Sequence, residues 1–326
     1  MTDFKILTDL EIDNPEHLAT RDGFGEALLE IGKKDDKVVV LTADVAESTR
    51  VDKFKEAYPD RFVEVGVAEQ NLMGVAAGLA LAGKTPFAAA YAVFSPGRNW
   101  DQLRLACYSA ANVKIVGAHS GISVGPDGAT HQALEDIALT RVIPNLTVVV
   151  PADYEETKKA VRAIAKYEGP VYLRLGREKM PVMTTSDTPF TLGKINRLIA
   201  GTDVVIFACG AMVARSIQAA KRLSGQISVQ VVNVATIKPL DVAGVMESVR
   251  ETGAVVTVEE HQISGGLGSA IAEVVAERQP VPIVRVGIND EFGQSGAPLT
   301  LLEHYGLGVN DIVQAVERAV KLKNVS

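Results

Sequence analysis

Short β-branched runs alternate with amphipathic helical stretches along this whole chain, and that alternation restricts its fold more than any other feature. "KVVVLTAD", "RFVEVG", "TPFAAAY", "VKIVGAH", "LTVVVPA" and "PVYLRLG" are apolar on both faces, as strands of a parallel sheet sandwiched between helices must be. Between them, "RDGFGEALLEIGKK" and "EETKKAVRAIAKYEG" place apolar residues at helical spacing, each with a glycine near its end. The expected class is α/β with doubly wound sheets.

The chain has 326 residues, more than one typical core takes up, so two domains are expected. From Glu178 to Lys194, "EKMPVMTTSDTPFTLGK" loses periodicity and gathers two prolines with a Thr/Ser/Asp cluster, as an interdomain linker does. The boundaries follow: a larger, mostly parallel domain over 1–180, a linker over 181–194 and a smaller α/β domain over 195–326. The second set of strands is "DVVIFACG", "VQVVNVA", "AVVTVEE" and "PIVRVG", interleaved with "AMVARSIQAAKRLSG" and "GLGSAIAEVVAER".

Bulk properties exclude several functions. A net charge of −7 and the lack of a basic stripe argue against a nucleic-acid partner. No apolar run approaches the roughly 18 residues of a membrane span. Cys107 and Cys209 stand far apart inside apolar segments, which suits reduced, buried thiols. The start, "MTDFKILTDLEIDNPE", lacks the basic and apolar regions of a signal peptide. A cytoplasmic protein is expected.

Residues 62–83, "FVEVGVAEQNLMGVAAGLALAG", raise the chemical question. Glu69 stands where a short strand passes into an apolar helix, whose Leu72, Met73, Val75, Ala76, Leu79 and Leu81 imply that it is largely buried. One reading is a first-turn acid facing the positive end of the helix dipole. The other is a sequestered carboxylate that shares a proton with a ligand.

The loop "GAHSGISVGPDGATHQALED" is the densest polar feature. Gly117, Gly121, Gly125 and Gly128 let it fold tightly, and it holds His119 and His131 with Asp127 between them. It follows a strand, and in open α/β sheets ligands gather beyond the carboxyl ends of strands. A metal is the lesser reading, since these three lack a compact ligand spacing such as HExxH. Asp44 and Ser48, in "LTADVAES", sit at another strand end, where each is also an ordinary turn or cap residue. Arg21 at a helix start and Arg177 after "VYLRLG" read by themselves as surface residues. "SGGLGSAIAEVV" has the start of a dinucleotide loop, but the third glycine is missing after Gly266 and Gly268, which leaves a tight strand-to-helix turn. No GxSxG elbow supports hydrolase chemistry.

Taken in order, "HLATR", "LTADVAES", "GVAEQNLMG", "AYAVFSPG", "GAHSGISVGPDGATHQ", "NLTVVVPAD" and "YLRLGREKMP" resemble the C-terminal portion of transketolase, a thiamin-diphosphate enzyme. "TIKPLD", "VEEHQISGGLGSAIAEV", "FGQSG" and "LLEHYGL" extend the resemblance through the second domain. The segment "AEQN" departs from the "REH" more frequent in longer enzymes.

The resemblance implies a pyrimidine-binding domain followed by the family's C-terminal domain, and it implies roles. Glu69 would hydrogen-bond the cofactor's pyrimidine ring nitrogen, Phe94 would pack on that ring and Asp44 would lie near the thiazolium. His119 and His131 would hold the two-carbon unit in transfer and Asp127 a substrate hydroxyl. Arg21, Ser48 and Arg177 would hold the sugar phosphate. The GDG motif and later Asn that hold the diphosphate and its divalent metal, Mg or Ca, are missing, and a single-chain enzyme would be about twice as long. A separate N-terminal subunit is therefore expected to supply them, in a heterotetramer that is active only when assembled. Deoxyxylulose-phosphate synthase and the beta-type chain of a 2-oxo-acid dehydrogenase are the rival families.

Overall fold

The computed structural model describes residues 16–325. Of the stretch read for a leader, residues 1–16, all but Glu16 lie outside the described residues. The first half contributes β1 His17–Ala19, β2 Val38–Thr42, β3 Phe62–Glu64, β4 Thr85–Tyr91, β5 Lys114–Ala118, β6 Thr147–Val149, β7 Val171–Arg174 and β8 Lys179–Pro181. The second half contributes β9 Asn196–Ile199, β10 Val204–Ala208, β11 Val229–Asn233, β12 Thr236–Lys238, β13 Val255–Gln262 and β14 Ile283–Ile288.

The first sheet has the order β12-β6-β7-β5-β4-β2-β3 and is parallel except at β12. Its strands are buried because helices cover both faces, and alternate side chains serve opposite cores. Val38 and Val40 join Phe24, Leu28 and Val161 of the helices Thr20–Lys34 and Tyr154–Lys166. Val39 and Leu41 join Leu72, Met73 and Leu103 of the helices Glu69–Leu81 and Trp100–Tyr108. The second sheet, β14-β13-β10-β11-β9, is parallel except at its edge strand β9. The two-domain α/β architecture expected from the strand–helix alternation is present.

Two features were not expected. β12 belongs in sequence to the second half, yet it pairs antiparallel with β6 of the first sheet. One apolar core runs across the seam, with Val148 and Tyr172 beside Phe207, Val232 and Ile237. In addition, the helix Glu69–Leu81 is not largely buried. Leu72, Met73 and Ala76 are buried, but Leu81 is 68% exposed, and a Cβ added at Gly74 or Gly78 would meet nothing within 4 Å. Leu105 and Tyr108 of the adjoining helix are exposed as well.

Buried polar groups pin the seam. Asp153 caps the helix Tyr154–Lys166 by accepting from the Glu156 N–H, and its other oxygen accepts from the Met183 and Thr184 N–H groups of the linker at 2.8 and 2.6 Å. Glu156 accepts from Asn233 Nδ2 at 2.8 and 3.0 Å and from the Ala152 N–H at 2.7 Å. Burial pushes its carboxyl from 4.5 up to about 7. A raised acid stabilises the fold fully below its unfolded value and loses that contribution as pH rises through the folded one. Wild type should therefore lose about 3 kcal/mol at this site between pH 4.5 and 7. Glu156→Gln keeps an oxygen for the Ala152 N–H and, once the Asn233 amide turns over, can donate to Asn233 Oδ1, which has no partner among the described residues. Thermal melts at pH 5 and 8 should show a flatter dependence for this variant, and equal slopes would contradict the assignment.

Candidate active site

The carboxyl ends of the parallel strands deliver nearly all the candidate residues to one edge of the first sheet. The end of β2 leads to Asp44 and Ser48, that of β3 to Glu69 and that of β4 to Tyr91 and Phe94. β5 leads to the loop from His119 to His131, and β7 to Arg177.

Glu69 is the first residue of its helix and is only 5% exposed. Its carboxylate is met by Arg98, whose Nη1 lies 3.1 and 3.2 Å from the two oxygens. The same guanidinium lies over the Phe94 ring, 4.0 Å from its centroid. The buried carboxylate and the half-buried aromatic face thus border one space, filled in this chain by a planar cation. The Arg98 side chain is 52% exposed, so solvent is open for it to move into. A planar nitrogen heterocycle that stacks on Phe94 and hydrogen-bonds Glu69 fits the same two groups.

His131 stands edge-on to Phe94, with centroids 5.4 Å apart, and its Nδ1 lies 2.9 Å from Thr130 Oγ1. His119 packs against Tyr91 at 4.2 Å and is 3% exposed. Its backbone has φ +56°, a region that costs a non-glycine residue energy and that recurs at functional sites. Burial, assisted by Arg21, Arg177 and Arg50, pulls the imidazole down to about 3, so the ring is neutral at physiological pH. Its Nε2 lies 3.5 Å from Arg21 Nη1, while its buried Nδ1 has no hydrogen-bond partner among the described residues. An orphaned buried ring nitrogen beside an aromatic wall is suited to a polar ligand.

Arg21 is half-buried and donates from Nη1 to the Ser48 carbonyl at 2.9 Å. Burial, with Arg50 close by, holds its guanidinium below the usual value. Arg177 donates from Nη1 to the Val124 carbonyl at 2.7 Å and lies 3.2 Å from Asp127 Oδ1. Arg21, Ser48, His119, Asp127 and Arg177 therefore gather on one side, with Glu69, Phe94 and His131 on the other. Asp44 stands apart. It is exposed, its own φ is +61°, and its N–H donates to Glu64 Oε1 at 2.8 Å. Asp44 and Ser48 line a cavity of about 680 Å³ rich in acids, among them Glu47, Asp52 and Glu64. A phosphate is repelled there, which leaves Arg21 and Arg177 as the better anion ligands of the set.

The Gly266–Gly268 turn has its own counterion. Both Glu259 oxygens accept from N–H groups at the start of the helix Leu267–Arg278, from Leu267 at 2.7 Å and Gly268 at 2.8 Å. The place where a dinucleotide phosphate would sit is filled by this carboxylate. Among the described residues no group of three or more His, Cys, Asp or Glu could hold a metal ion. None of their helices is long and apolar enough to cross a membrane. Sequence reasoning missed Arg98, Tyr91, Gln132 and Glu260. An aromatic at the end of "TPFAAAY" offered a signal for Tyr91, and Gln132 and Glu260 lie inside the matching segments "GAHSGISVGPDGATHQ" and "VEEHQISGGLGSAIAEV" without having been singled out, whereas Arg98 lies outside every matching segment.

Two family models match the chain in succession, the pyrimidine binding domain of transketolase over residues 16–183 and the C-terminal domain of transketolase over 193–312. The chain belongs to the transketolase family. A 6-deoxy-6-sulfo-D-fructose transketolase subunit of a Clostridium species is 43% identical over 96% of this chain and 98% of its own. One of the subunits of an apulose-4-phosphate transketolase, from Phocaeicola vulgatus, is 39% identical over 93% and 98%. Transketolase of Mus musculus is 35% identical over 94% of this chain but only 49% of its own length. Among solved structures, a split-gene transketolase, described as an inactive beta4 tetramer, superposes with a TM-score of 0.88 at 50% identity, covering 94% of this chain and 99% of its own. This transketolase-family chain is thus of the split, transferase-subunit type, with a pyrimidine-binding domain of the kind that goes with thiamin diphosphate.

Proposed function

We propose that this chain is the pyrimidine-binding and C-terminal subunit of a split transketolase. It transfers a two-carbon ketol unit from a ketose phosphate to an aldose phosphate, and it works only with a second chain. The single observation that carries this reading is the pairing of buried Glu69 with the Phe94 face, bordering a space now filled by a planar cation. Thiamin diphosphate, when bound, supplies the carbon nucleophile and electron sink that side chains lack.

The chain's own residues supply position and proton control. Glu69, only 5% exposed, would share a proton with the pyrimidine ring nitrogen. Phe94 offers its face, and Arg98 swings aside into solvent. His119, neutral throughout the working range, presents its partnerless Nδ1 to the two-carbon unit, and His131 reaches the same region from beyond Phe94. Asp127 reads a substrate hydroxyl. Arg21 and Arg177 would grip the phosphate as charged forks, with the Ser48 carbonyl supporting Arg21, and Asp44 is assigned to the thiazolium by the family resemblance alone.

The diphosphate and its Mg or Ca ion are assigned to the partner, an N-terminal subunit with the GDG and Asn ligands. Glu69 opens the helix that carries the bare Gly74–Gly78 face, so a chain that shares the cofactor also covers this face. A heterotetramer is the assembly the family resemblance implies, and the beta4 tetramer of the split-gene neighbour supports self-association of this kind of chain. Cys107 and Cys209, both buried free thiols, support a reducing cytoplasm.

The assay is direct. The reconstituted pair should turn over xylulose 5-phosphate with ribose 5-phosphate, or a related ketose phosphate, and should not use pyruvate with glyceraldehyde phosphate. Turnover with pyruvate alone would move the chain to deoxyxylulose-phosphate synthase or to a 2-oxo-acid dehydrogenase.

A further inference from the structure

The loop from His119 to His131 belongs to the first domain, but a residue of the second fixes its base. Gly121 turns there with φ +84°, and two residues on, the Ser123 N–H donates to Glu260 Oε1 at 2.7 Å. Glu260 lies on β13, is 5% exposed and is 137 residues away in sequence. A methyl on Gly121 would fall 2.3 Å from the same Oε1, so chain and carboxylate are in close contact.

The return leg of the loop is tied to the same residue. Arg174, buried and ion-paired with Asp136 at 2.7 Å, donates from Nη2 to the Glu260 carbonyl at 2.9 Å and to the Ala133 carbonyl at 3.2 Å. The Gly121 N–H closes the base by donating to Ala133 O at 2.9 Å. Gln132 adds a second tether, donating from Nε2 to the Ile122 carbonyl at 3.1 Å and to the Gln294 carbonyl of the second domain at 3.0 Å.

We infer that Glu260 is a positioning residue, through which the second domain sets the conformation of the loop that carries His119, Asp127 and His131. The inference rests on the ketol-transfer reading only for what the loop binds. A backbone N–H held by a buried carboxylate is a charge-assisted hydrogen bond, and its loss leaves the amide without a partner. Glu69 and Phe94 stand on other strand ends, and His131 is the loop residue that reaches Phe94, so the latch bears chiefly on sugar binding.

The test uses the chain assembled with its diphosphate-binding partner. Glu260→Ala should raise KM for the sugar phosphates by about tenfold, equivalent to about 1.4 kcal/mol. It should also speed amide exchange across 119–132 and leave exchange across 62–75 and thiamin diphosphate affinity within twofold. Glu260→Gln, which keeps an acceptor for Ser123, should restore most of the loss. Gly121→Ala attacks the same contact from the loop side, so combining it with Glu260→Ala should cost less than the sum of the two. If Glu260→Ala does not fold, Glu260→Asp, whose shorter carboxylate falls short of the Ser123 N–H, reports instead, through faster exchange confined to 119–132.

Unchanged loop exchange, strictly additive variants, or a loss of cofactor affinity equal to the loss of sugar affinity would each overturn the latch. A wild-type complex without ketol transfer would overturn the functional reading instead, while loop exchange would still decide the latch.

Discussion

Glu69→Gln should lower turnover of the reconstituted enzyme by about a thousandfold, within the range expected for a positioned proton-transfer group. The amide matches the carboxyl in shape, so the helix start, the packing of Leu72 and the Phe94 face remain. What is lost is the group able to hold and return a proton at a ring nitrogen. The ion pair with Arg98 goes too, but its half-exposed arginine limits that contribution to about 1 kcal/mol or less. Steady-state kinetics with saturating cofactor, beside a thermal melt, separate the two effects. Turnover within tenfold of wild type would rule out Glu69 as the proton-handling acid.

The second large effect is expected on assembly. Gly78→Leu introduces a side chain where nothing among the described residues lies within 4 Å, and it replaces a poor helix former inside the helix Glu69–Leu81. The isolated chain should melt at the same temperature or higher, by about 0.5–1 kcal/mol of helix stabilisation. A partner packed closely against that face would meet a branched side chain and lose about 1–3 kcal/mol, or about 5- to 150-fold in affinity. Light scattering of the mixed subunits, with the ketol-transfer assay, reads both. Full assembly by a stable Gly78→Leu chain would show that the partner docks elsewhere.

Much of the fold was legible because its signals are local. β-branched runs such as "KVVVLT" and "VVIFA" became β2 and β10, and the helices between them kept their apolar spacing. β9 and β12 were not legible. They are short edge strands of four and three residues, and no periodicity emerges from so few. The helix after Glu69 was misjudged for another reason: a run from Leu72 to Leu81 indicates apolar surface to be covered, but not by which chain.

The site divides in the same way. His119, Asp127 and His131 stood out because one glycine-rich loop holds them, whereas Ser48, Arg21 and Arg177 drew meaning only from the resemblance. Arg98 and Glu260 could not be found, since each acts across a contact that no motif encodes, spanning 29 and 137 positions.

The antiparallel pairing of β12 with β6 also governs how such a chain can be divided. A cut in the segment between the halves would strip the first sheet of its outermost strand and leave β6 a raw margin open to stray pairing. Fission of a longer ancestor, or grafting of one half onto a foreign host, would have to carry Thr236–Lys238 with the first sheet or fail. The two halves of this polypeptide are therefore joined through the sheet as well as along the chain.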